Sequence, residues 1–251
     1  MTTTWLIFRR SLRQSLRNPA WVLIGVFQPL IYLALFGPLL IPVVQNTPGF
    51  PPGDAWQVFV PALVVQQVVF GTLFVGFGLI SEYRAGVIDR MRVTPASRSA
   101  LLLGRSLKDV VVLVLQSVLL VLISLPFGLR APLGGVLLAL VLIAVAGLAM
   151  SAASYALALR LKSEEALGPV FNTFGLPLLL LSGVLLPMSV APDWLYAISR
   201  ANPFVHIVDA ERALFRGDLG DPSVLIGAGV TAALVVLCLT WGIRTFHRES
   251  A

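Results

Sequence analysis

Residues 80–109 read ISEYRAGVIDRMRVTPASRSALLLGRSLKD. Six Lys/Arg and three Asp/Glu crowd into this stretch, in a chain of which only 12% is charged. Apolar runs flank it, residues 58–80 before and 109–129 after. About 20 apolar residues cross a hydrocarbon core of about 30 Å, so each run is long enough to be a membrane span. The charged island is then the connection between two spans, held at a membrane surface.

Composition agrees. The chain has 251 residues, 57% of them hydrophobic, and a mean hydropathy of +0.90. A soluble domain of this size is usually about a quarter charged. Six spans are expected, at about 21–44, 58–80, 109–129, 133–159, 167–188 and 222–243. Asp109 sits only at the edge of the third, and the third and fourth are joined by the short hinge RAPL, which demands an antiparallel hairpin. Prolines 29, 38, 61, 126 and 177 fall inside spans, where neighbouring helices re-satisfy the freed carbonyls. With one cysteine, Cys238, a disulfide framework is excluded. No internal repeat or low-complexity tract divides the chain, and residues 1–251 read as one transmembrane domain.

Charge sets the orientation. With six spans, residues 1–20, 81–108, 160–166 and 244–251 share a side and hold 14 of the 18 Lys/Arg. The other side holds Arg130, Arg200, Arg212 and Arg216. Lys and Arg collect on the cytoplasmic side, so both termini and the charged island are expected there. The run from Trp21 to Val44 is too long for a signal core, and no cleaved signal is expected. Upstream of it, Trp5, Phe8, Leu12 and Leu16 recur at helical spacing with Arg9, Arg10, Arg13 and Arg17 beside them. That pattern reads as an amphipathic interfacial helix over residues 1–20, in contact with membrane lipids.

Between the fifth and sixth spans, residues 189–218 read as an outer re-entrant segment built from a broken helix pair. Asp193 after Pro192 could cap a first short helix. Asn202 followed by Pro203 starts a second, with an N-cap and a proline at the first helical position. His206, Asp209, Arg212 and Arg216 form one polar stripe on it, opposite Phe204, Ile207, Val208, Leu214 and Phe215. His206, Asp209 and Glu211 could instead suggest a metal cluster, but no fourth ligand lies nearby and the stripe accounts for two of them. No metal site is expected.

The next question is what drives or performs the function. The six apolar runs carry no acid or histidine of the kind a secondary transporter uses to bind its driving ion. The two histidines, His206 and His247, lie outside them, so an intramembrane enzyme lacks its base. No G-x-x-x-x-G-K-[ST] motif occurs, so a P-loop ATP site is absent too. A net charge of +6 needs no nucleic-acid partner, since topology explains it. A transporter without its own engine needs a cytoplasmic docking surface, and residues 81–108 form the only inner loop long enough.

Here the chain resembles the permease subunits of type-2 ATP-binding-cassette exporters, particularly those like the daunorubicin-resistance permease. Glu82, Gly86, Arg90, Thr94, Pro95, Ser97 and Arg98 match the family's E-x-x-x-G…R…x-T-P-x-S-R loop. Ser182, Gly183, Pro187, Trp194, Asn202, Pro203, Asp209 and Arg212 match its second signature, and His206 stands where the family often has Tyr.

The resemblance implies that residues 81–108 carry a coupling helix seated on a separate ATPase subunit. It implies two permease copies, identical or closely homologous, and two ABC ATPase subunits. This chain would hold no cofactor, and ATP and Mg would sit on the ATPase. It also implies the cytoplasmic membrane of a bacterium. Read from the residues themselves, Val87, Ile88 and Met91 offer an apolar edge, Arg90 and Arg92 orient the contact, Pro95 stops the helix and Ser97 caps the next. Headgroup binding by a basic loop is the bland alternative.

For cargo, the expectation is a hydrophobic or amphipathic compound: a drug, an antibiotic or a lipid-like metabolite. Gln28, Gln66, Gln67 and Asn172 are the candidate substrate-path amides, with helix-to-helix bonding as the competing role. The other classes weighed are a non-transporting scaffold or sensor subunit, and a permease for a polysaccharide or glycolipid. The fold expected is all-α membrane, with six transmembrane helices, the interfacial N-terminal helix and the broken outer pair.

Overall fold

In the computed structural model the described residues are 2–17, 20–85 and 98–248. Every regular element among them is helical. Helix α1 is Thr2–Leu16, and α2, Ala20–Asn46, runs on through Pro29, Pro38 and Pro42. Helix α3, Ala55–Leu73, opens on a reciprocal cap. The Gln57 backbone N–H donates to Asp54 Oδ1 at 2.8 Å, and the Asp54 N–H donates to Gln57 Oε1 at 3.2 Å. Two donors that the first turn would leave unpaired are thereby satisfied. Helix α4, Val75–Arg84, continues α3 after a break at Phe74.

Helix α5 is Arg98–Ser124 and α6 is Leu133–Leu161. The third span was expected at 109–129, but the helix lies further toward the N-terminus. It starts with the polar residues before 109, of which Arg105 pairs with Glu82 and Lys108 with Asp109. It ends at Ser124 because the chain turns tightly around Pro126, with Gly128 at φ +112 and Leu129 N–H bonded to the Ser124 carbonyl. The α5–α6 hairpin expected from RAPL is present.

Helix α6 ends on Lys162 in the left-handed region, and Ser163 then caps α7, Glu164–Val170. A π turn over Phe171–Gly175 and α8, Leu176–Leu180, complete this run. Prolines 169 and 177 interrupt it, and from Glu164 to Leu180 it is only about 25 Å long at 1.5 Å per residue. The segment expected as a fifth span at 167–188 is thus broken, and it leaves the helix at Leu181. A 3₁₀ turn at Met188–Val190 leads to α9, Asp193–Ser199, then α10, Pro203–Arg216, and α11, Pro222–Arg248. Five helical stretches among the described residues are long and apolar enough to cross a membrane: Leu23–Val44, Ala55–Arg84, Ser99–Ser124, Leu133–Leu161 and Pro222–Arg248.

The α3–α4 stretch is the centre of the bundle. Burial reaches 72% of its apolar window, against 11% for α11 at the rim. Two apolar clusters stack along it. The larger gathers Phe59, Leu63, Val68, Leu120, Ile143, Ile207 and Phe215. The smaller, below the break, gathers Leu79, Ile80, Leu102, Leu159, Leu167 and Phe246. Ser154 of α6 sits at the break itself. Its hydroxyl donates to the Leu73 carbonyl at 2.9 Å and accepts from the Gly76 N–H at 3.0 Å. A side chain thereby repairs backbone bonds that the break in the helix would leave open.

The four basic segments meet at one end, here the loop end. Helix α1 packs so closely on α5 that a Cβ on Gly104 would lie 2.9 Å from the Thr4 carbonyl oxygen. The Lys162 ammonium lies over the Tyr83 ring, 5.7 Å from its centroid, and Phe246 of α11 joins the lower cluster. The opposite end belongs to α10, whose Arg216 side chain approaches Gly53 in the α2–α3 loop.

Candidate functional site

At the loop end a cleft of about 700 Å³ opens between α1, α2, α3, α4, α5 and α6. Successive turns at the start of α5 point Arg105, Lys108 and Asp109 into it, and the last turn of α4 supplies Glu82. Arg105 pairs with Glu82, tying α5 to α4, and Lys108 pairs with Asp109. The Tyr155 hydroxyl of α6 donates to the other Asp109 oxygen at 2.6 Å. Asp109 is buried, so these partners are what make its burial tolerable. Charged side chains thus stand inside this end of the bundle, although the expected spans held no charge beyond Asp109 at the edge of the third. Both helices run past the limits that hydropathy suggested and carry their polar turns into the bundle.

The four candidate amides divide into two pairs. Gln66 and Gln67 are buried inside the bundle on α3. Gln67 Oε1 accepts from the Ser117 hydroxyl at 3.2 Å, a bond between α3 and α5. Gln28 on α2 and Asn172 in the π turn are exposed on the protomer surface. They stand among exposed apolar side chains, Phe27 and Ile31 in one case, Phe174 and Leu176 in the other. Gln116, two turns further along α5 from Asp109, rests against Gly25, where a Cβ would lie only 2.2 Å from its Nε2.

Helix α10, the second helix of the expected pair, is sunk into the bundle. It is buried from Phe204 to Phe215 apart from His206 and Asp209, packed on α3, α6 and α11. Its start matches expectation. The Asn202 side chain accepts from the Phe204 N–H at 3.0 Å, and Pro203 follows. Asp193, by contrast, is the first residue of α9 rather than its cap, which is Pro192.

Arg212 enters the core, donating through Nε to the Val58 carbonyl at 3.1 Å and through a terminal nitrogen to the Gly183 carbonyl at 2.7 Å. Burial pulls its guanidinium down to about 10, still protonated at neutral pH. Asp209 faces Arg200 instead at 3.2 Å, and His206 Nε2 lies 3.1 Å from the Arg200 carbonyl. Glu211 is fully buried with neither carboxyl oxygen hydrogen-bonded, and that desolvation holds its pKa well above the ordinary carboxylate range. Sequence gave no signal for this, because an acid on a helix of mixed character reads as solvent-facing.

Of the residues expected to couple to an ATPase, Glu82 is described and pairs with Arg105. Gly86, Val87, Ile88, Arg90, Met91, Arg92, Thr94, Pro95 and Ser97 lie outside the described residues, as does the side chain of Arg98.

Residues 2–215, a stretch containing both sequence motifs, match the family described as ABC-2 type transporter. The chain belongs to the ABC-2 type transporter family. It is 30% identical over 228 residues to the daunorubicin resistance ABC transporter permease protein DrrB1 of Streptomyces coeruleorubidus, covering 90% of this chain and 79% of that one. It is 26% identical over 219 residues to the putative transport permease ycf38 of Cyanophora paradoxa, covering 84% and 73%. The probable multidrug ABC transporter permease YbhR of Escherichia coli K12 is 25% identical over 191 residues, covering 74% of this chain and 50% of that one. This ABC-2 protein is thus a multi-pass transporter permease subunit, and its family works with an ABC ATPase.

Proposed function

We propose that two copies of this permease and two ATPase subunits form an exporter in a bacterial cytoplasmic membrane. ATP and Mg are bound by the ATPases, and the cargo is hydrophobic or amphipathic. Six crossings fit this reading, the fifth being the broken run that begins at Glu164, and α1 lies along the interface as an amphipathic helix. The basic segments then face the cytoplasm, and residues 86–98 dock on the ATPase.

One observation carries this reading. The family match runs through the 82–98 motif, and the residues flanking that loop stand at the end where the four basic segments gather. The exposed pair Gln28 and Asn172 supports a cargo route along a seam with the second copy, since amides on lipid-facing surfaces are costly. The buried pair fits a bonding role within one protomer. Cargo of this class is supported by the printed names of the DrrB1 and YbhR relatives.

The test is replacement of Ile88 and Met91 by Asp, which places charges in a desolvated contact at a cost of several kcal/mol. The variant should insert at normal yield but lose the co-purified ATPase and all transport. Pull-down of the ATPase at wild-type yield would overturn the docking assignment.

A further inference from the structure

Among the described residues the loop-end cleft holds two carboxylates and two cations, yet a staple between helices needs no empty space in front of it. Its volume, about 700 Å³, lies in the range of small-molecule sites, roughly 300–1,000 Å³. The walls divide by character. Ile24, Phe74, Phe77 and Val112 form an apolar side, and Phe74 is 61% exposed although it sits at the break in the central helix. The charged side offers one acid and one base that still face open space. Glu82 is 40% exposed in its side chain and Lys108 22%, whereas Asp109 is sealed by Lys108 and Tyr155. Gly78 also lines the cleft, and a Cβ added there would meet nothing within 4 Å.

The cluster as a whole carries no net charge, and that selects the ligand. A net anion would have to draw Arg105 or Lys108 away and strand a carboxylate. A net cation would strand a base. An unpaired charge at this depth is expensive. A head carrying one charge of each sign can exchange partners with both pairs and leave nothing unpaired.

We propose that the cleft binds an amphiphile with a zwitterionic head, its ammonium at Glu82, its phosphate or carboxylate at Lys108 and Arg105, and its apolar body against Phe74 and Phe77. The inference rests on the membrane reading above, but it does not depend on ATPase docking. Such a ligand could come from the adjoining lipid leaflet or from a soluble zwitterion.

The test is native mass spectrometry of the full chain in an uncharged detergent. The probes are dioleoyl lipids with phosphoethanolamine, phosphoglycerol or trimethylammonium heads. The phosphoethanolamine lipid should be retained about tenfold better than either of the others, the ratio expected when one charge is left poorly matched. Glu82→Gln leaves the cluster one charge positive and should move the preference to the phosphoglycerol lipid. Gly78→Leu fills the cleft without touching a charge and should abolish retention while the melting temperature holds. Competition by free phosphoethanolamine would assign the site to a soluble zwitterion, and competition by lipid alone would assign it to the membrane. Equal retention of the three lipids, or a wild-type pattern in both variants, would overturn the proposal. No ATPase is present in this measurement, so its failure would leave the docking assignment intact.

Discussion

The two ends of the bundle are built on opposite rules. At the α10 end, backbone meets backbone. A Cβ on Gly135 of α6 would fall 2.0 Å from the Leu214 carbonyl oxygen, and one on Gly227 of α11 would fall 2.7 Å from that of His206. Arg212 then binds carbonyls of two further segments. At the loop end, α1 still packs closely on α5 at Gly104, but a cleft opens among the helices, side-chain pairs tie its walls, and the central helix is broken at Phe74. Close-packed interiors transmit displacement and yield little. A push arriving at the loop end therefore has room to bend the lower half, while the α10 end moves as a block.

That contrast is breakable, most severely at its tightest point. Gly135→Ala should cost about 3 kcal/mol, since backbone must move to admit the methyl group. Gly78→Ala, in open space on α4, should instead gain about 0.5–1 kcal/mol from lost chain entropy. Thermal unfolding in detergent reads both. Comparable losses would mean that the two ends are packed alike.

The next effect concerns Glu211 and pH. The folded protein holds this proton more tightly than the unfolded chain, where a glutamate titrates near about 4.3. Its contribution to stability is therefore greatest at low pH and falls as pH rises from there toward the raised folded pKa. Glu211→Leu should remove that slope and add about 2 kcal/mol at neutral pH, because an unpaired buried polar group is lost. Melting temperatures measured across acid and neutral pH decide it. A slope that survives in the variant belongs to another group.

The smallest effect probes the break. Ser154→Ala removes the hydroxyl that joins the Leu73 carbonyl to the Gly76 N–H and should cost about 1 kcal/mol. Hydrogen exchange should rise at Gly76 and leave α10 unchanged. Equal loosening at both ends would argue against independent halves.

Much of this was legible in the residues. Apolar length gave the long helices, RAPL gave the hairpin, and Asn202-Pro203 gave the start of α10. What escaped was everything that depends on a partner across space. Hydropathy cannot register Arg105 and Asp109 as interior, because their burial rests on Glu82 and Tyr155 in other helices. The stripe on α10 conceals its burial for the same reason, as the Val58 and Gly183 carbonyls, from segments far away in sequence, receive Arg212 in the core. The fifth run departs from a regular α-helix because prolines 169 and 177 and a π turn lie within it, features that averaged hydropathy does not contain.

The turn over residues 125–132 has a further consequence, for biosynthesis. Helix α5 leaves the ribosome before α6 and is the less apolar of the two, with a mean hydropathy of 2.2 against 2.7. Its first turns also carry charges, which favour the membrane surface over the hydrocarbon core. The turn is pinned, with Gln57 Nε2 donating to the Arg130 carbonyl at 2.6 Å. In a chain stopped at Pro132, a cysteine placed at Ala131 should stay shielded from a label added outside, whereas extension through Leu161 should expose it. That outcome would mean that the later helix carries the earlier one into the bilayer.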